Sequence, residues 1–179
     1  ARRHYDARGL YGTRIHVLTG DLSSLRVTPY WANLVVSEQG LDQVLKGGVQ
    51  SLEQVCGVLR PYGGTAVLAS EKSEHSKLSE LCGNVDLAGA ELRRSGDWSV
   101  VTRPGALPES EDWTHEAGNP GNTFSSLDDR VKPPFGVLWF GGSVDRIFPS
   151  WDYTHNRGPF PVIGEGRMFI LVANKVHAV

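Results

Sequence analysis

The chain has 179 residues, 40% hydrophobic and 21% charged, an ordinary globular composition and a length suited to one or two domains. Its formal net charge of −2 and pI near 6.3 give no electrostatic case for nucleic acid or an anionic membrane as partner. No apolar run is long enough to span a bilayer as a helix.

The first residues, Ala1-Arg-Arg-His-Tyr-Asp6, read as the middle of a helix rather than as a signal peptide. There is no initiator Met, so a fragment or a processed piece is expected. The helix is expected to run to about Tyr11, with Gly12 as its stop. Three short apolar runs follow. Ile15, Val17 and Leu18 precede Gly20-Asp21, Leu34-Val35-Val36 precede Ser37-Glu38, and Ala66-Val67-Leu68 follow Pro61-Tyr-Gly-Gly64. Short β-branched runs without clean alternation suit strands buried on both faces, as in a parallel sheet. Strands are expected over 14–18, 34–36 and 65–69. Between the second and third, Leu52, Val55 and Leu59 have helical spacing, and strand–helix–strand in that order implies a right-handed crossover. Gly47-Gly48 marks 40–48 as a loop, and Ser51 with Gln54 forms a candidate capping box.

A second helix is expected over 73–81, ending at Gly83. Residues 90–94 and 98–102 flank Ser95-Gly96-Asp97 as a β-hairpin. Pro104-Gly105-Ala-Leu-Pro108 and Glu109-Ser-Glu-Asp112 then mark a boundary, dividing the chain into 1–105 and 106–179. Beyond it helical periodicity stops. Val137-Leu-Trp-Phe140, Phe160-Pro-Val-Ile163, Arg167-Met-Phe-Ile-Leu-Val172 and Lys175-Val-His-Ala-Val179 read as strands, the last three forming a meander.

Residues 14–68 resemble the back half of a class I S-adenosylmethionine-dependent methyltransferase domain. Gly20-Asp21-Leu22 resembles the acidic turn after the third strand, where the carboxylate accepts from the adenine amino group. The segment 32–38 resembles the fourth strand and its lip, and Leu59-Arg-Pro-Tyr-Gly-Gly64 the turn before the fifth. The hairpin is similar to the antiparallel sixth and seventh strands. The resemblance implies that Asp21, Leu22, Ser37 and Glu38 face S-adenosylmethionine. The Gly-rich turn after the first strand and the acidic residue closing the second, which hold the methionine end and ribose, do not occur in the sequence. No Gly-x-Ser-x-Gly elbow is present, and no catalytic residue is assigned.

The C-terminal meander resembles one incomplete blade of a pyrroloquinoline-quinone-type (PQQ-like) β-propeller. The segment 112–123 resembles the lead-in to such a propeller, and Leu138-Trp139 its outer strand. Together the halves resemble bacterial proteins that fuse a methyltransferase-like domain to a propeller. The expected fold is α/β: a partial Rossmann-like parallel sheet with an antiparallel hairpin, then an all-β propeller-blade meander. One incomplete blade assembles no central channel, so PQQ is not expected to bind. Trp113, Trp139 and Trp151 are expected to pack between strands. The partners implied are the N-terminal Rossmann half and the remaining blades. The fragment alone is expected to be inactive. The alternative is a non-catalytic, envelope-associated scaffold with a degenerate Rossmann domain. The propeller resemblance points to the cell envelope or periplasm, the methyltransferase resemblance to the cytoplasm. Cys56 and Cys82 lack metal-ligand spacing and read as small buried hydrophobes. Six histidines form no His-x-His cluster, and His16 is expected to lie within its strand.

Overall fold

The computed structural model describes residues 1–24, 27–37, 41–134, 136, 160–172 and 175–178. The protein is mixed α/β, with a mixed four-stranded sheet and a separate three-stranded antiparallel sheet. Its residues group into two units. The first comprises Ala1–Leu59, Thr65–Leu87 and Leu92–Val101; the second comprises Arg60–Gly64, Ala88–Glu91 and Thr102–Val179. No described helix is long and apolar enough to cross a membrane.

The first helix, α1, spans only Arg2–Asp6. Gly9, at φ 65°, closes it. Its N–H donates to the Asp6 carbonyl at 2.9 Å, and the Leu10 N–H reaches back to the Tyr5 carbonyl at 3.0 Å. That bond pair is a Schellman ending, so the stop falls at Gly9 and not at Gly12.

Residues 14–18 form no strand. Ile15 makes one isolated parallel bridge to Tyr11, and Leu18 is 59% exposed. An apolar run becomes a strand only when another strand takes up its backbone groups, and among the described residues none does. His16 is accordingly exposed, its ring 6.3 Å from that of Tyr11, and is not held within a sheet.

Strand β1, Leu34–Ser37, pairs in parallel with β2, Gly64–Ala69, in the register Leu34 to Thr65 through Ser37 to Leu68. Helix α2, Asp42–Val58, connects them. It begins nine residues before the expected cap at Ser51, which lies inside the helix. The Gly47-Gly48 pair does not break α2 into a loop; Gly48, at φ 58° and ψ −140°, kinks it. Leu41 and Val44 explain why the helix survives upstream of the kink. They are 0% and 3% exposed and extend the buried stripe of Leu52, Val55 and Leu59.

Helix α3, Lys72–Gly83, opens with a reciprocal capping box between Glu71 and Glu74 and buries Leu78. The hairpin β3, Glu91–Ser95, and β4, Trp98–Arg103, joins the sheet in the order β1-β2-β4-β3. Gly96, at φ 57°, supplies the positive backbone angle that a two-residue hairpin turn requires. Strand β2 buries Ala66 and Leu68, and β4 buries Ser99, Val100 and Val101. Strand β1 is one edge of the sheet and β3 the other, and on β1 Leu34 and Val36 are 61% and 55% exposed.

In the second unit, β5 (Val162–Gly164), β6 (Arg167–Val172) and β7 (Lys175–Ala178) form the expected meander. The Ile163 N–H donates to the Trp113 carbonyl at 2.7 Å, and the Glu165 N–H to the Asp112 carboxylate at 3.1 Å. The Trp113 ring lies against Gly118, whose φ of 94° and lack of a Cβ admit the close approach. Arg103 is 1% exposed, and its guanidinium donates to the Ala88 carbonyl. The segment 137–140, with Trp139, and Trp151 and His155 lie outside the described residues.

Candidate functional site

Parallel strands point their carboxyl ends the same way, and in open α/β sheets that edge is where a ligand finds room. Here the edge lies beyond Ser37, at the entrance to α2. A cleft of about 570 Å³ opens there, lined by Leu22, Ser37, Asp42, Lys46, Val55 and Leu68 among others. A second cavity of about 360 Å³ shares Leu22, Gln43 and Lys46 with it and adds Asp21, Gly47 and Ser51. The combined size is in the range of small-molecule sites.

No family model, curated protein or solved structure matches the chain.

The site therefore stands on its own residues. Asp21, Leu22 and Ser37, separated in sequence, all line this cleft system; Glu38 lies outside the described residues. A 3₁₀ turn, Leu22–Ser24, positions Asp21 and Leu22 and packs against α2. The bonds that form the turn run from the Ser24 N–H and hydroxyl to the Asp21 carbonyl, at 3.0 and 2.9 Å. Its carboxylate is not consumed by the turn, and Asp21 is exposed. An exposed carboxylate beside an apolar Leu22 face can accept from an amino or hydroxyl group of a ligand.

Four lining residues were not singled out for the site from sequence: Asp42, Gln43, Lys46 and Ser51. Asp42, Gln43 and Lys46 occupy the part of α2 expected to be loop, and Ser51 was expected as the helix cap. The signal was present in Lys46-Gly-Gly-Val-Gln-Ser51, a cation, two glycines and a hydroxyl on one short stretch.

Two other polar clusters were candidates for chemistry. In the first unit the Ser99 hydroxyl lies 2.8 Å from the Ser70 hydroxyl and 2.8 Å from His75 Nδ1. A serine beside an imidazole resembles a nucleophile and its base. Ser99, however, is 0% exposed, so the trio ties the end of β2 and the first turn of α3 to β4. In the second unit burial pushes the Tyr62 phenol above its ordinary range, and the carboxylates of Asp112 and Glu165 push it further the same way. Tyr62 thus remains a neutral donor at physiological pH. Its ring occupies the space that a Cβ on Gly166 would need.

Among the described residues no group of three His, Cys, Asp or Glu side chains could hold a metal ion. Cys56 is buried, and burial pushes the Cys82 thiol up. Neither forms a disulfide, and the raised pKa of Cys82 disfavours its reactive thiolate.

Proposed function

We propose that this chain is a piece of a methyltransferase-like protein fused to a PQQ-like β-propeller, the parent acting as an S-adenosylmethionine-dependent methyltransferase. The observation that carries the proposal is the position of the cleft. Asp21, Leu22 and Ser37 converge at the carboxyl edge of a parallel β1–β2 pair joined by α2. The hairpin that extends the same sheet is what the resemblance implies for the antiparallel sixth and seventh strands. The β5–β7 meander agrees with three strands of one propeller blade.

In this proposal the Asp21 carboxylate accepts from the adenine amino group, Leu22 supplies an apolar face to the ring, and Ser37 lines the approach to the sulfonium. Bound S-adenosylmethionine supplies an activated methyl group. The chain's own residues bind and orient it. A charge-assisted hydrogen bond contributes about 1.5–3 kcal/mol. Millimolar affinity needs about 4 kcal/mol, so Asp21 alone does not retain the cofactor.

Calorimetric titration tests this. S-adenosylmethionine at millimolar concentration is expected to give no measurable binding to these 179 residues. Binding is expected in a longer chain carrying the Gly-rich turn and second acidic residue, with Asp21→Ala weakening it there. Saturable binding to the short chain, or none to the longer one, would overturn the assignment.

A further inference from the structure

The kink in α2 leaves a buried hydroxyl without a partner. Ser51 is 1% exposed, and its Oγ makes no hydrogen bond. A serine inside a helix ordinarily donates to the carbonyl four residues back, which here is Gly47. Gly48, at φ 58° and ψ −140°, interrupts the helix between the two. Buried hydroxyls without partners are rare in folded proteins and call for an explanation. Ser51 also lines the smaller cavity, together with Lys46 and Gly47.

The same kink gives the downstream turns of α2 an N-terminus of their own. The segment from Val49 to Val58 is long enough to carry a helix dipole, and the non-helical angles of Gly48 mark its start. A positive dipole end, an exposed ammonium at Lys46 and an unused hydroxyl at Ser51 therefore meet at one cavity. Each favours an acceptor with negative charge.

The opposing charges narrow the choice. Asp21 lines the same cavity, and Asp42 lines the adjoining cleft beside Lys46. Two carboxylates near one ammonium disfavour a dianion such as phosphate. They favour a monoanion whose own donor group the Asp21 carboxylate can accept.

We propose that the α2 kink is a binding subsite for the carboxylate end of a small hydroxy or amino acid, held by Lys46, the N-terminus at Gly48 and the Ser51 hydroxyl, with Asp21 accepting from the ligand's hydroxyl or amine. Asp21 does not serve adenine and this ligand at once, so the subsite is proposed for these 179 residues, which are not expected to retain S-adenosylmethionine, and it does not rest on the methyl-transfer reading. The test reads binding at the kink directly, so its outcome is separate from whether methyl transfer occurs.

The test is a titration of the ¹⁵N-labelled chain followed by amide chemical shifts. The probes are sodium glycolate, sodium acetate, inorganic phosphate and, at matched ionic strength, sodium chloride. Glycolate is expected to shift the amides of residues 47–51 saturably, with half-saturation at about 10–50 mM, the weak range that one ion pair and two hydrogen bonds supply. Acetate is expected to bind several-fold more weakly. Lys46→Gln, an exposed change that leaves the core intact, and Ser51→Ala are each expected to weaken glycolate about five-fold. Absence of saturation, equal shifts from chloride, tighter binding of phosphate, or unchanged affinity in both variants would each overturn the proposal.

Discussion

Replacing Ser51 with Ala separates a hydroxyl kept for a ligand from one kept for the fold. The residue is 1% exposed, and its Oγ has no partner, so the native state carries the cost of removing that hydroxyl from water. Such a group costs about 1–3 kcal/mol when left unmade. Ala adds a few tenths of a kcal/mol in helix propensity. Against these gains stands the loss of one atom's packing, about 0.5 kcal/mol or less. The net expectation for Ser51→Ala is stabilisation by about 1–2 kcal/mol. At about 4–8 °C per kcal/mol for a unit of 60–100 residues, the transition of the first unit rises by roughly 4–16 °C. Differential scanning calorimetry at two scan rates reads this. The same variant loses affinity for glycolate, so stability and binding move in opposite directions, the usual mark of a functional polar group. A Ser51→Ala protein that melts several degrees lower would refute the reasoning, because it would mean that the hydroxyl is satisfied in the folded state.

Other outcomes follow from the same physics. Ser99→Ala leaves the Ser70 hydroxyl and His75 Nδ1 without their shared partner, and urea unfolding is expected to show a loss of about 1–3 kcal/mol; a change under 0.5 kcal/mol would mean that the trio holds nothing. Leu34→Lys, on the exposed edge strand, is expected to leave the melting temperature nearly unchanged while slowing concentration-dependent aggregation in light scattering; equal aggregation would show that the β1 edge is not the template. The backbone N–H of Val131, followed by those of Glu111 and Arg130, holds the Asp128 carboxylate below its ordinary range, with burial opposing and the Arg130 charge assisting. A depressed carboxylate stabilises the fold above its unfolded value of about 4 and loses that contribution as pH falls through its folded value. Denaturant midpoints measured from pH 5 down to pH 2 are expected to fall less steeply in Asp128→Asn than in the parent, and identical slopes would remove this assignment.

The parts of the fold legible in the sequence are those whose signals are local. The turn at Gly96 and the meander at Glu165-Gly166 are written in residues only a few positions apart. The β1–β2 pair was legible because strand, helix and strand in succession leave one chirality of crossover. Residues 14–18 were not, because a strand requires a partner and an apolar run does not announce whether one is present. Gly47-Gly48 misled in the opposite direction. Paired glycines ordinarily mark loops, yet burial of Leu41 and Val44 outweighs the local cost of about 1 kcal/mol per glycine. At the candidate site, Asp21, Leu22 and Ser37 were named from a family resemblance, and what the structure adds is that all three line the cleft system. Lys46 and Ser51 were hidden by the same misread kink, since a cap residue at a helix start and an unsatisfied residue inside a helix look identical in one dimension.

The interleaving of the two units has a consequence for how the protein can be made and divided. Arg60–Gly64 and Ala88–Glu91 belong to the second unit although they lie within the span of the first. The Tyr62 and Gly63 N–H groups donate to the carbonyls of Gly105 and Arg103, and Arg103 donates to that of Ala88. A scissile point placed at the Pro- and Gly-rich stretch after Arg103 therefore does not release two self-sufficient pieces. The upstream product keeps backbone donors whose acceptors sit at or beyond the cut, and the downstream product lacks two of its own segments. On a ribosome the order is equally constrained. The 60–64 segment emerges some forty residues ahead of the carbonyls that satisfy it. Until those arrive it remains hydrated and unplaced, so the second unit cannot begin to close before the first has been almost entirely synthesised.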